Sequence, residues 1–298
     1  MSSADGSAIA RIGVVVHPRR EIHRPVAALR EWAAAHGAEL RQLTGVADGP
    51  RIAPLGEASE TALVVAIGGD GTVLAALRAA APVQRAVLGV ACGSLGALTT
   101  VEGGAVSAAL DAFAAGDWSA QHVPALSARD AAGTEWTAIN DLVVVRAGGN
   151  QVSTEVEADG VLYARFAGDG VIASTQLGSS AYALAAGGPL LAPGADAWLI
   201  TPLAAHGGSV PPLVLGARSR ARLVLEPGHA GARIEVDGRA TALEPCALEL
   251  GLRPDFGTLV RAGEEEPLLT GLRRRNIVID SPRMLARDAR LERARVEG

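Results

Sequence analysis

The stretch Thr61-Ala62-Leu63-Val64-Val65-Ala66-Ile67-Gly68-Gly69-Asp70-Gly71-Thr72 decides the fold. It begins as an apolar run of strand length, breaks into three glycines around one aspartate, and returns to helical spacing over Thr72–Ala81. A continuous apolar run suits a strand buried on both faces, and such strands belong to parallel sheets flanked by helices. The same rhythm recurs on either side. Ile12–Val16 and Ala86–Val90 are short apolar runs. Pro25–His36 carries Val26, Leu29, Trp32 and Ala33 at helical spacing, and Ala105–Ala115 reads as a helix stopped by Gly116. Strands alternating with helices predict βαβ units, a Rossmann-like and mainly parallel sheet over residues 1–119.

The rhythm changes near residue 120. Val152, Thr154, Val156 and Ala158 alternate at period two, Asp159-Gly160 follows, and Leu162, Ala164 and Phe166 resume the alternation. This is a hairpin with a type I′ turn signal. A second runs from Ile234 through Asp237-Gly238 towards Leu243, and Ala221–Leu225 and Ala247–Leu250 also read as strands. Residues 120–270 are therefore expected to form a β-rich second domain. The polar tail 271–298, helical at its end, is expected to return to the first.

Composition narrows the chemistry. Among 298 residues, 49% are hydrophobic, 20% charged and 3% aromatic, a globular composition whose core must come from Ala, Val, Leu and Ile. All 27 basic side chains are arginines. With no lysine there is no Schiff base and no P-loop of the GxxxxGK[ST] kind. The net charge of −5 argues against a broad nucleic-acid surface. The arginines near the C-terminus (Arg273, Arg274, Arg275, Arg283, Arg287, Arg290, Arg293, Arg295) are interleaved with Asp280, Asp288, Glu292 and Glu297, as on a solvated helix face. Cys92 and Cys246 match no metal spacing and fit a reducing cytoplasm. Met1–Ala10 lacks the pattern of a signal peptide, and no apolar run reaches membrane-spanning length.

The chemistry centres on Gly68, Gly69, Asp70, Gly71 and Thr72. Glycines let a backbone approach a ligand closely, and the helix that follows offers free N–H groups to phosphate. A carboxylate in such a loop can engage Mg²⁺ on a polyphosphate or take a proton from an attacking hydroxyl. An Asp-capped strand–helix turn would have the same local pattern.

Downstream motifs choose among kinases with such a loop. Gly89-Val90-Ala91-Cys92-Gly93-Ser94-Leu95-Gly96-Ala97-Leu98-Thr99 resembles a segment of the NAD kinase family. So do Ala138-Ile139-Asn140-Asp141, the run from Gly168-Asp169-Gly170 through Gly178-Ser179-Ser180-Ala181-Tyr182 to Gly187-Gly188-Pro189, and Thr201-Pro202 with His206. The motifs stand in family order over about residues 10–260. The resemblance implies an α/β N-terminal domain, an all-β sandwich C-terminal domain and a nucleotide bound between them. It implies Asp70 as the catalytic carboxylate and Mg²⁺ carried with ATP. It also implies Asn140, Asp141, Asp169, Ser180, Ala181 and Tyr182 around the acceptor, and a cytoplasmic homodimer or homotetramer. His206 reads as a packed histidine rather than a proton carrier.

Departures gather at the acceptor. Ala91 replaces the family's Asn, Ala97 its aromatic, Gln176-Leu177 its Pro-Thr, Ser180 a Thr, Ala185 a Ser and Pro211 an Arg. The expected activity is transfer of a phosphoryl group from ATP, or another nucleoside triphosphate or polyphosphate, to the 2′-hydroxyl of the NAD adenosine ribose. The alternatives are a kinase of the same fold acting on another hydroxyl (a sugar, nucleoside or specialised metabolite) and a non-catalytic NAD(P)- or ATP-binding regulator.

Overall fold

A computed structural model describes residues 9–44, 49–192, 194–241, 247–262 and 268–296. Leu243, Cys246, Glu297 and most of the Met1–Ala10 segment lie outside these residues, as do the side chains of Glu292, Arg293 and Arg295. Residues 1–263 form one compact unit and residues 264–298 a second.

The first unit opens with β1 (Arg11–Val16), α1 (His23–His36), β2 (Glu39–Leu43), β3 (Leu55–Gly56), β4 (Leu63–Gly68), α2 (Asp70–Ala80), β5 (Val87–Ala91), β6 (Val101–Glu102) and α3 (Val106–Ala115). The strands pair in parallel, in the order β5-β4-β1-β2-β3, with β6 beside β5. Helices cover both faces. Val26, Leu29 and Trp32 of α1 and Val106 and Leu110 of α3 pack on one side of the sheet, and Val73, Ala76, Leu77 and Ala80 of α2 on the other. Trp32 Nε1 donates to Asp111 Oδ1 at 2.6 Å and ties α1 to α3. The expected α/β architecture is present.

The chain continues as β7 (Ser119–Asp130), β8 (Glu135–Ala138), β9 (Asp141–Arg146), β10 (Val152–Ala158), β11 (Val161–Gly168) and β12 (Gly170–Thr175). After a short α4 (Tyr182–Ala185) follow β13 (Ala197–Leu203), β14 (Leu213–Gly216), β15 (Arg220–Pro227), β16 (Ala232–Val236), β17 (Arg239–Ala240) and β18 (Ala247–Arg261). One antiparallel sheet runs β14-β13-β12-β9-β16-β17. It shares a core with β7, β8, β10, β11, β15 and β18, built around Leu126, Leu142, Val156, Val171, Trp198 and Leu250. This is the sandwich that the resemblance implied. The long strand β18 is the hinge between layers. It pairs with β7 along its length and also runs parallel to β5, at Leu259 opposite Val87. Both expected hairpin turns have the left-handed pairs a type I′ turn requires: Asp159 and Gly160 at φ 50° and 79°, Asp237 and Gly238 at 47° and 73°.

The second unit contains α5 (Leu268–Arg274) and α6 (Pro282–Val296), with an Arg273–Asp280 ion pair. No helix among the described residues is long and apolar enough to cross a membrane.

Two local differences from the sequence reading have physical causes. Helix α2 begins at Asp70 rather than Thr72, because the Gly69 carbonyl already accepts from Thr72 N at 2.9 Å and Val73 N at 3.2 Å. A carboxylate in a helix's first turn is favoured by the dipole. Strands β2 and β3 carry no buried-strand signature, because β3 is a two-residue edge strand and covers its neighbour β2 only at Gln42 and Leu43, which leaves Glu39–Arg41 free to stay polar.

Candidate active site

In open α/β sheets ligands bind beyond the carboxyl ends of the strands, where the strand order reverses. Here the chain runs from β1 to β2 and β3 on one side and from β4 to β5 on the other, so the reversal lies between β1 and β4. Gly68-Gly69-Asp70 follows β4 directly at that point. The Asp70 carboxylate is half-buried. Its Oδ2 accepts from Ala97 N and its Oδ1 from Leu98 N, both at 2.9 Å. The loop after β5 thus fixes the aspartate in orientation and leaves further lone pairs free. A Cβ on Gly96 would sit 2.1 Å from Asp70 Oδ1, so this loop can reach the carboxylate only with glycine there. Thr72 is buried in the same turn and Gly71 is exposed.

Asn140 and Asp141 sit where β9 begins, and the side chain that shapes them is Asp237, from the turn after β16. Asp237 Oδ2 accepts from Ile139 N at 3.1 Å, and Oδ1 from Asn140 N at 2.6 Å and Asp141 N at 3.2 Å. Oδ2 also accepts from Arg78 Nη2 at 2.9 Å, and the Asp237 side chain is fully buried. Arg78 lies in the last turn of α2, the helix that starts with Asp70. One carboxylate therefore links that helix to the Asn140-Asp141 segment. Burial pushes the Asp141 carboxyl up to about 6, with Asp237 and then Glu235 adding to the effect. Asp141 consequently keeps its proton to a higher pH than an ordinary carboxyl, and at about pH 6 and below it can donate as well as accept.

The Gly178 segment closes against the same place. Thr175 Oγ1 donates to Ile139 O at 2.6 Å, and Thr175 N to Asn140 O at 2.9 Å. A Cβ on Gly178 would lie 2.0 Å from Asn140 O, a closeness that only glycine permits. Leu177, Ile139, Leu98, Leu74 and Leu77 share one hydrophobic cluster. That cluster brings together the loop holding Asp70, the helix bearing it and the Asn140 segment.

Ser179 is completely buried; its Oγ donates to Gln176 O at 2.6 Å and accepts from Leu191 N at 3.0 Å. It is a structural serine. Ser180 Oγ donates to Leu177 O at 3.1 Å, and Ala181 and Tyr182 are exposed. Tyr182, at 44% exposure, is not a core tyrosine and presents its ring to solvent. Asp169 stands apart. It precedes Gly170, at the far end of β12 from Ser174, which pairs with Asp141. Five strand residues separate the two ends by about 16 Å. Asp169 Oδ1 accepts from Arg146 Nε at 2.6 Å. His206 N donates to Ala167 O at 2.8 Å, but the residue is exposed and its ring meets the Gln151 side-chain amide, so it is not the packed histidine that the sequence reading expected.

The sequence carries two family models in order. The ATP-NAD kinase N-terminal domain matches residues 55–118, and the ATP-NAD kinase C-terminal domain matches residues 139–245. The NAD kinase of Symbiobacterium thermophilum is 35% identical over 217 residues, 70% of this chain and 77% of that protein. The NAD kinase of Acidobacterium capsulatum is 33% identical over 266 residues, 85% of this chain and 93% of that protein. This chain belongs to the NAD kinase family. Two solved NAD kinase-family structures share the fold. A yeast NADH kinase complexed with NADH has a TM-score of 0.74 at 20% identity, covering 90% of this chain and 87% of its own. An Archaeoglobus fulgidus NAD kinase in complex with ATP has a TM-score of 0.70 at 20% identity, covering 90% of this chain and all of its own.

Within this NAD kinase-family chain the departures have structural places. Leu177 packs into the cluster beside Ile139. Pro211 O accepts from Tyr163 OH at 2.7 Å. Ala97 loses a side-chain platform while its peptide N–H still holds Asp70. Ala91 is buried at the end of β5. The sequence reading missed Gly96, Arg78 and Asp237. Gly96 was visible only as part of a motif, and Asp237 only as a turn residue.

Proposed function

We propose that this chain phosphorylates the 2′-hydroxyl of the adenosine ribose of NAD, with ATP as donor, giving NADP. The observation that carries this reading is the Asp70 carboxylate, set at the strand-order reversal by two peptide N–H groups. Residues 1–119 are assigned donor handling and residues 120–270 acceptor handling. The glycine loop Gly68, Gly69, Gly71 and Thr72 offers backbone donors to the triphosphate at the start of α2. Asn140 and Asp141 hold the ribose diol, the amide donating and accepting and the carboxylate accepting from the hydroxyls. Ser180, Ala181 and Tyr182 line the base, with the exposed Tyr182 ring available for stacking. Asp169 serves the far end of the acceptor.

In the transfer, the 2′-oxygen forms a bond to the γ-phosphorus while the bond to the β,γ-bridging oxygen breaks. ADP leaves, and the hydroxyl proton passes to Asp70. Positioning and charge neutralisation provide most of the acceleration. Among the described residues no group of three or more His, Cys, Asp or Glu could cage a metal. The single carboxylate of Asp70 suits Mg²⁺, which is commonly held by one or two carboxylates together with substrate phosphates. Bound there, the ion would neutralise phosphate charge. The free, half-buried Cys92 thiol supports a cytoplasmic setting, and the family resemblance supports a homodimer or homotetramer.

The test is NADP formation from ATP, Mg²⁺ and NAD, with Asp70→Asn expected to lower kcat by two orders of magnitude or more. A panel of sugars and nucleosides runs alongside. NADP formation that is absent, or outrun by transfer to another hydroxyl, overturns the reading.

A further inference from the structure

The lysine-free composition leaves open which cation meets the donor's phosphates. The segment after β1 holds an answer. His17 N donates to Ile67 O at 2.9 Å, so the chain leaving β1 stays fastened to β4 up to the glycine loop. His17 Nδ1 then accepts from both Arg19 N at 3.1 Å and Arg20 N at 3.0 Å. Accepting twice, that nitrogen carries no proton. Burial, with Arg20 and Arg19 adding to it, holds the imidazole below its ordinary value. The turn 17–20 is thereby folded back onto the loop.

Its product is the placement of one guanidinium. A Cβ on Gly69 would lie 3.4 Å from Arg20 Nη1 and 3.5 Å from both Cζ and Nη2. Three near-equal distances put the guanidinium face-on over the glycine. A side chain on Gly69 would crowd it. Among the described residues Arg20 has no carboxylate within ion-pair distance, although fourteen ion pairs involve other basic residues. Arg20 follows β1 and the glycine loop follows β4, so the guanidinium spans the two strands that flank the strand-order reversal.

We propose that Arg20 binds the polyphosphate of the nucleoside triphosphate donor, as the exposed cation over the Gly68-Gly69-Asp70 loop. This rests on the reading of that loop as the donor site. The guanidinium presents paired donors matched to phosphate oxygens and stays charged at every working pH. Its role is separate from acceptor recognition.

The experiment measures binding of ATP and of inorganic tripolyphosphate, each with Mg²⁺, to the full chain by calorimetry. Steady-state KM values for ATP and NAD are taken in parallel. Arg20→Ala should weaken binding of both ligands about ten- to hundredfold, the loss expected for charge-assisted bonds. KM for NAD and the melting temperature should remain within error. Arg20→Lys should recover part of the loss, and Arg19→Ala should change donor binding by less than about threefold, since Arg19 holds only its peptide N–H on His17. Donor binding within twofold of wild type in Arg20→Ala overturns the proposal, as does a wild-type chain that binds neither ligand. A wild-type chain that binds tripolyphosphate through Arg20 but makes no NADP leaves this inference standing and refutes the NAD reading instead.

Discussion

Asp237→Ala is the substitution expected to cost this molecule most. The side chain has no exposed surface and accepts from three consecutive peptide N–H groups and from Arg78. Truncation leaves Ile139, Asn140 and Asp141 with donors aimed at an empty space, and Arg78 without its counter-charge. Breaking a buried ion pair costs about 3–5 kcal/mol, and each orphaned buried donor about 1–3 kcal/mol. Those terms overlap. Arg78 keeps 24% of its side chain exposed and can turn to solvent, and water can enter the vacated volume. A net loss of about 4 kcal/mol follows. For a chain of this size that is a fall in Tm of about 8–16 °C. Urea denaturation gives the free energy and a thermal scan the Tm. Asp237→Asn separates acceptor from volume: it fills the same space but turns an NH₂ towards the peptide donors, and should lose nearly as much as alanine. A loss below about 1 kcal/mol in Asp237→Ala, or an asparagine variant as stable as wild type, would refute the reasoning. It would mean the three N–H groups are satisfied without the carboxylate.

Two further substitutions test the same site. Gly96→Ala places a methyl 2.1 Å from Asp70 Oδ1; the loop must withdraw, so kcat should fall at least tenfold while urea stability drops by only about 1–2 kcal/mol, and a kcat near wild type would show that Asp70 does not need the loop. Asp141→Asn tests the raised carboxyl. With Asp141 at about 6 when folded and near the ordinary carboxylate value when unfolded, the protonated form favours folding at low pH, and that contribution is lost as pH rises from about 4 through about 6. The variant should therefore be relatively more stable above pH 6 than below pH 4. It should also flatten the dependence of KM for NAD on pH between 5 and 7, and an unchanged profile would count against the assignment.

How much of this was legible in the sequence depends on what each residue does. The buried parallel strands announced themselves, because Leu63–Gly68 and Val87–Ala91 are covered on both faces and can hold nothing polar. Strand Glu39–Leu43 did not, because its neighbour at the edge covers only Gln42 and Leu43, and the uncovered part tolerates the same polar residues as a loop. Asp70 stood out by its glycine setting. Asp237 did not: a type I′ turn asks for Asp-Gly whether or not the carboxylate reaches a neighbouring segment, so the turn alone explained the residue. Arg20 was one of 27 basic side chains, and only the fold over Gly69 distinguishes it. Asp169 was grouped with the acceptor residues by its motif, yet it lies at the opposite end of its strand from Asp141.

The pattern of departures follows from which atoms make each contact. Asp70 is held by the N–H groups of Ala97 and Leu98, and any residue but proline supplies those. The aromatic side chain that the family resemblance places at position 97 can therefore become alanine without releasing the carboxylate. Gly96 and Gly178 cannot change in the same way, because a Cβ at either would meet Asp70 or Asn140 at 2.1 or 2.0 Å. Backbone contacts thus demand glycines and leave side chains free, which is why the glycine framework and Asp70 persist while Ala91, Ala97 and Leu177 differ. Recognition of a base or ribose depends on side-chain chemistry and is exposed to such changes. Altered selectivity at the acceptor, with donor handling intact, is the consequence to expect of that division, and KM for NAD relative to KM for ATP is where it would be read.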